Sequence, residues 1–185
     1  MPAVDERNLV LLAKEGNRAA FRSLVELHMR KAYDIAFGVV SNHADAEDIV
    51  QESFVRVYRA IGSFRGDSRF GTWLYRIVMN VALNRATAMK SRARFEVPIA
   101  YETIAHQTQA RTMAGEDDLQ YHIERAVHEL PTLQRAVVIL RHINGLSTKQ
   151  VSGILKCSEG TVKTHLHRGL KKMKTLLAYL EENRS

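Results

Sequence analysis

The chain has 185 residues, 45% of them hydrophobic, with one cysteine and a formal net charge of +7. That is enough apolar material for one large or two small buried cores, and the positive balance favours a polyanionic partner, since each neutralised phosphate releases condensed counterions. No apolar run approaches the roughly 20 residues that span a bilayer, the opening MPAVDERNLVLLAKEG has no basic leader region or cleavage site, and lone Cys157 can form neither an internal disulfide nor a cysteine-rich zinc site, so a cytoplasmic chain is expected.

Asp5 is placed to cap a short helix, ERNLVLLAKE, ended by Gly16. Asn17 is placed to cap a second, with Ala20, Phe21, Leu24, Leu27, Ile35, Ala36 and Val39 at helical spacing. Residues 41–43 break that pattern. The next helix runs to about Ile61, with Ala46, Ile49, Val50, Ser53, Val57 and Ile61 inward, and its outer face carries Asp45, Glu47, Asp48 and Glu52 with no basic residue among them. A short loop holding Gly62, Gly66 and Asp67 leads to an amphipathic helix with Phe70, Trp73, Leu74, Ile77, Val78 and Val81 on one stripe. Thr72, Tyr75, Arg76, Met79, Asn80 and Asn84 form its other face, and from Arg76 to Arg94 every charge is positive. The stretch from Asp45 to Arg85 thus sets an acidic surface beside an aromatic and basic one, a docking face beside a nucleic-acid face.

From Ala93 to Glu116 the sequence is polar, includes Pro98 and Gly115, and has no sustained period, which reads as a flexible linker. Helical spacing returns with Leu119, Ile123, Ala126, Val127 and Leu130 before Pro131. Thr132 is expected to cap LQRAVVILRHIN, and Gly145 to follow its end. Ser147 and Gln150 have the form of a capping box for a short helix containing Val151, Ile154 and Leu155. After a turn at 156–158, Ser158 opens a last helix with Val162, Leu166, Leu170, Met173 and Leu177 as its stripe.

Two helices joined by so short a turn, the second carrying Lys163, His165, Arg168, Lys171 and Lys172 opposite its apolar stripe, read as a helix-turn-helix. Ser158, Thr161, Lys163, Thr164 and His165 lie near the end that enters a major groove, and Arg168 and Lys172 lie further along toward phosphates. No strand-like alternation occurs, so the expected fold is all-α: two small helical domains, 1–92 and 117–185, joined by a linker over 93–116.

The sequence resembles the extracytoplasmic-function (ECF) family of bacterial RNA polymerase sigma factors along nearly its whole length. DAEDIVQESFVRVYRAI resembles the family's core-polymerase-binding helix, and SFRGDSRFGTWLYRIVMN its promoter-melting and minus-ten-reading segment. LPTLQRAVVILRHINGLSTKQVSGILKCSEGTVKTHLHRGL resembles its minus-thirty-five-reading domain. The resemblance implies a sigma region 2 domain and a region 4 domain that direct core polymerase to a dedicated promoter set and help open the DNA. It makes Asp45, Asp48, Gln51 and Glu52 the polymerase contacts, at the clamp coiled coil, with the flap as a further contact of the large subunits. It also implies that the loop Phe64–Gly71 helps capture a flipped minus-ten base, with Phe64, Trp73, Arg76, Asn80 and Asn84 as DNA residues; spacing alone, which puts Trp73 on the apolar stripe, favours a packed core aromatic there, and Phe64 and Phe70 share that alternative.

The family further implies promoter DNA and an anti-sigma factor as partners, the latter able to hold the protein at the inner membrane, with no catalytic residues, cofactor, metal or small-molecule substrate. Lys149 and Gln150 stand where the family often has acids, Gly153 where a better helix former is usual, His165 where Arg is frequent and Asn84 where Asp is. A stand-alone helix-turn-helix regulator would leave the acidic helix and RFGTWLYRI unexplained. An enzyme finds no HExxH, Walker-type loop or Cys/His spacing, and a membrane-surface role does not account for the groove-reading residue types on the last helix.

Overall fold

The computed structural model describes residues 5–95 and 116–182, and within them the fold is helical with no strand. Most of the 93–116 linker therefore lies outside the described residues. Capping chemistry marks the first three helices. Asp5 accepts from the Arg7 N–H at 3.1 Å and opens α1 (Glu6–Lys14). Asn17 accepts from Ala20 N–H at 3.0 Å and opens α2 (Arg18–Val40), and Asn42 does the same for Asp45 N–H at 3.0 Å to open α3 (His43–Ala60). A single 3-10 turn, Ile61–Ser63, and an irregular stretch lead into α4 (Phe70–Phe95).

The second group of helices is α5 (Glu116–His128), α6 (Thr132–Val138), α7 (Thr148–Leu155) and α8 (Glu159–Glu182). Thr132 is not the cap expected for α6: Pro131 holds that position and supplies no side-chain hydrogen bond. A π-helical turn, Ile139–Ile143, extends α6, and Gly145 follows it at φ +65°. The capping box is formed in both directions, Gln150 N–H to Ser147 Oγ at 3.2 Å and Ser147 N–H to Gln150 Oε1 at 2.8 Å. Lys156 turns the chain in the left-handed conformation, and Ser158 Oγ accepts from Thr161 N–H at 3.0 Å at the start of α8.

The helices α2, α3 and α4 pack around Leu24, Ile35, Ile49, Val57, Leu74 and Val78. Leu27, expected inside, is exposed, and its neighbour His28 is buried instead, because α2 turns that edge toward α1 and α4. In the second group Leu119 and Leu170 are likewise exposed. Beside Leu170 on α8 the buried position is Gly169, where an added Cβ would fall 2.9 Å from Val138 Cγ2, so α8 and α6 meet at the absence of a side chain.

The two groups share one continuous core. Helix α7 packs on α4, and the π-helical turn packs on α2, where a Cβ at Gly38 would lie 3.0 Å from Ile139. Gly153, the unusual glycine of α7, faces Thr72 and Arg76 of α4. An added Cβ there would sit at ordinary contact distances of 3.9 and 4.0 Å, so crowding does not explain the glycine.

Candidate functional site

The acidic face of α3 is less free than its sequence suggests. Arg85, from α4, reaches Asp45 at 3.2 Å and lies 3.9 Å from Asp48, while Arg56 pairs with Glu52 at 2.5 Å. Asp45 is the most enclosed of the three acids and is turned toward Arg85. Asp48 and Gln51 stay exposed, and Glu52 is intermediate.

Beside this row a groove of about 590 Å³ runs between α2 and α3. Phe21, Val25, Met29, Phe54, Val55 and Tyr58 line it, and Glu47 and Gln51 border it. Met29, Val55 and Tyr58 are exposed there, an arrangement suited to accepting an apolar face from another chain while the acids select a basic one. Sequence spacing did not expose this groove, because α2 and α3 each look adequately amphipathic alone.

The loop between α3 and α4 carries a small aromatic cluster. The Phe64 ring lies 4.9 Å from Trp73 and 6.0 Å from Phe70, Phe70 is buried, and Trp73 and Phe64 are half-buried. Gly66 takes φ +82°, a left-handed conformation that suits glycine in this turn. A groove of about 1020 Å³ separates the loop from α1, lined by Glu6, Arg7, Lys14, Arg65, Asp67 and Arg69 among others.

On α4 the second face expected to be open is largely covered. Thr72, Tyr75 and Met79 are buried, and Arg76 is half-buried with its Nε enclosed and unpaired. Two neighbours produce this: α7 lies over Thr72 and Arg76, and Tyr75 turns toward α2, its hydroxyl 2.8 Å from His28 Nδ1. Burial raises the Tyr75 hydroxyl far above its ordinary pKa of 10.0, Glu6 adding to the effect, so it stays protonated. Asn80 and Asn84 remain exposed, one helical turn apart on the same side.

On α8, Lys163, Thr164 and Arg168 project freely into solvent. Ser158 and Thr161 bond each other at 2.9 Å as part of the cap, and His165 is half-buried with its Nδ1 enclosed. Lys172, placed by spacing among the phosphate-facing cations, instead donates to the Glu129 carbonyl at 2.8 Å. It ties α8 to the end of α5. The N–H of Thr161 is taken by Ser158, so of the amides at the start of α8 those of Glu159 and Gly160 are left for an anion.

Comparison with known proteins matches both groups of helices. The sigma-70 region 2 family matches residues 24–94 and the sigma-70 region 4 family residues 122–173. The chain is 34% identical over 164 residues to the ECF RNA polymerase sigma factor SigW of Bacillus subtilis, covering 84% of this chain and 88% of that one. It is also 34% identical over 171 residues to the ECF RNA polymerase sigma-E factor of Haemophilus influenzae, covering 88% and 90%. Among solved structures it is similar to CnrH in complex with the cytosolic domain of CnrY, with TM-score 0.71 and 25% identity over 94% of this chain and 97% of that one. The sigma factor RpoE of Bartonella quintana in complex with the anti-sigma factor NepR gives TM-score 0.69 and 26% identity over 85% and 96%. An acidic helix, an aromatic loop and a capped helix-turn-helix, in the order of regions 2 and 4, place the chain in the ECF family of RNA polymerase sigma factors, transcription initiation subunits rather than enzymes.

Proposed function

We propose that residues 1–92 bind core polymerase and read and melt the minus-ten element, that residues 117–185 read the minus-thirty-five element, and that residues 93–116 connect them. The observation that carries this reading is the separation of two solvent-facing rows of opposite charge: Asp48, Gln51 and Glu52 on α3, and Lys163, Thr164 and Arg168 on α8. The acidic row, with Asp45 behind it, docks on a basic surface of the polymerase clamp, and the basic row enters a major groove, Arg168 neutralising a phosphate. Ser158, Thr161 and His165 shape the reading end of α8, and Lys172 anchors it.

At the minus-ten element Phe64 and Trp73 form the stacking wall for an unstacked base, while Asn80 and Asn84 offer paired donors and acceptors to its edge. Each stack contributes on the order of 1–3 kcal/mol. Arg76 joins them once α7 leaves α4. A connecting segment of about 25 residues reaches roughly 80 Å when extended, more than two turns of duplex at about 34 Å each, so one chain can hold both elements. Tethering makes two weak contacts jointly selective.

The protein acts in the cytoplasm and has no catalytic activity of its own. Among the described residues no helix is long and apolar enough to cross a membrane. An anti-sigma factor is a further partner, as it is for the Bartonella RpoE named above, and a membrane-bound one would hold this chain at the inner membrane. Run-off transcription from pooled genomic fragments, with core polymerase in the presence and absence of this chain, tests the reading. New transcripts sharing upstream sequences are expected. None, with active core and no inhibitor bound, would favour a regulator that works without polymerase.

A further inference from the structure

The segment joining α3 to α4 has few fastenings of its own. Ser63 Oγ donates to Ala60 O at 2.8 Å and Phe64 N–H to Ile61 O at 3.0 Å, both within a single turn. The Arg65–Asp67 ion pair at 2.7 Å joins two side chains that are mostly in solvent, and such pairs contribute little. Apart from bonds to the flanking helices, one polar fastening among the described residues reaches this segment from elsewhere. Lys14 Nζ donates to the Phe64 carbonyl at 3.0 Å, across 50 positions of sequence.

Helix α1 is a firm mount for that lysine. Val10 and Ala13 are buried, and the Glu6 carboxylate lies 3.6 Å from Nε2 of buried His28, whose ring packs 5.4 Å from Phe70. The Phe64 ring hangs from the peptide that Lys14 holds and completes the aromatic cluster with Trp73 and Phe70. A rotation of that peptide would swing the ring out of the cluster.

We propose that Lys14 is a positioning residue for minus-ten readout: its ammonium, mounted on α1, holds the Phe64 carbonyl and thereby fixes the geometry of the reading loop. The proposal rests on the assignment of this loop to the minus-ten element. A lysine beside a DNA-binding groove can also touch a phosphate directly, and the two roles leave different signatures. Loss of a phosphate contact weakens binding to every sequence alike and removes about one unit of salt dependence, whereas loss of a positioning contact changes the discrimination between sequences.

The test uses holoenzyme assembled with the full chain, on a promoter recovered by the run-off experiment and on derivatives with single minus-ten substitutions. Opening is followed by 2-aminopurine fluorescence within the element. Lys14→Met, which removes the donor and keeps the stem, is expected to reduce the cognate-to-substituted ratio by about five- to tenfold, the value of one hydrogen bond held in solvent. Lys14→Arg, which keeps a donor, restores the ratio, and neither variant alters core binding. An equal loss on every DNA with a shallower salt slope overturns the proposal in favour of a phosphate contact. An unchanged ratio overturns it outright. Failure of the wild-type chain to open any promoter would instead overturn the minus-ten assignment, and the positioning role with it.

Discussion

Arg135 of α6 donates from Nη1 to the carbonyl of Val39 at the end of α2, 3.1 Å away and 96 positions earlier in the chain. Its Nη2 bonds the carbonyls of His128 and Leu130, so one buried guanidinium serves three backbone acceptors from both groups of helices. Burial lowers its pKa, Glu129 opposing the shift, but the group stays charged because arginine begins so high.

Arg135→Met should therefore act on both halves at once. Stranding buried carbonyls costs about 2–3 kcal/mol, and loss of the Val39 bond loosens α6 from α2. A lower melting temperature and a larger radius of gyration by small-angle X-ray scattering are expected; Arg135→Lys, with a single head group, recovers part of each. An unchanged radius would mean that apolar packing alone holds the halves together.

The acids of α3 should separate by role. Asp48→Lys with Glu52→Lys leaves the Asp45–Arg85 pair in place, so stability changes by less than about 1 kcal/mol while core-polymerase binding is lost at moderate salt. Asp45→Ala should instead lower stability by about 1 kcal/mol by leaving Arg85 without its nearer partner. Pull-down of core polymerase and thermal denaturation on the same samples distinguish these outcomes. Retention of binding by the double variant would remove α3 as the docking face.

Arg168 and Lys172 of α8 should part in the same way. Arg168→Ala is expected to weaken promoter binding by the holoenzyme and reduce its salt slope by about one, with polymerase affinity unchanged. Lys172→Met should leave that slope alone and cost roughly 1 kcal/mol of stability through the Glu129 carbonyl. A reduced slope for Lys172→Met would place its ammonium on DNA.

His28 gives the acid side of the stability curve. Burial lowers its pKa from 6.5, the Glu6 carboxylate opposing and Lys31 reinforcing the shift. The unfolded chain thus binds this proton more readily than the folded one, so the stability it contributes is present above pH 6.5 and is lost as pH falls toward the folded-state value. His28→Asn, which can keep a polar contact with the Tyr75 hydroxyl, should flatten the decline below pH 6.5 in urea titrations. The same slope in the variant would assign the proton to another group.

What was readable in advance was local. Asp5, Asn17, Ser158 and the Ser147–Gln150 box cap helices through partners two or three residues away, so spacing alone locates them. The order of helices and the helix-turn-helix follow from the same short-range chemistry. Contacts between distant residues were not readable from spacing: Asp45 turns to Arg85 across 40 positions, Lys172 to Glu129 across 43, and Thr72 and Arg76 are covered by α7. Helical periodicity also fixes a buried face only to within about one residue in rotation, which is why His28 replaced Leu27 and Gly169 replaced Leu170 inside.

Gly169 gives that last exchange a mechanical meaning. It is the fulcrum on which the 24-residue α8 rests against Val138, and Lys163 stands about 9 Å along the lever toward the reading end. A methyl group at the pivot would tilt the whole rod before any reading side chain changed. On the reading proposed above, promoter preference would change through the tip residues, while the angle of approach would be set by a glycine buried between two helices.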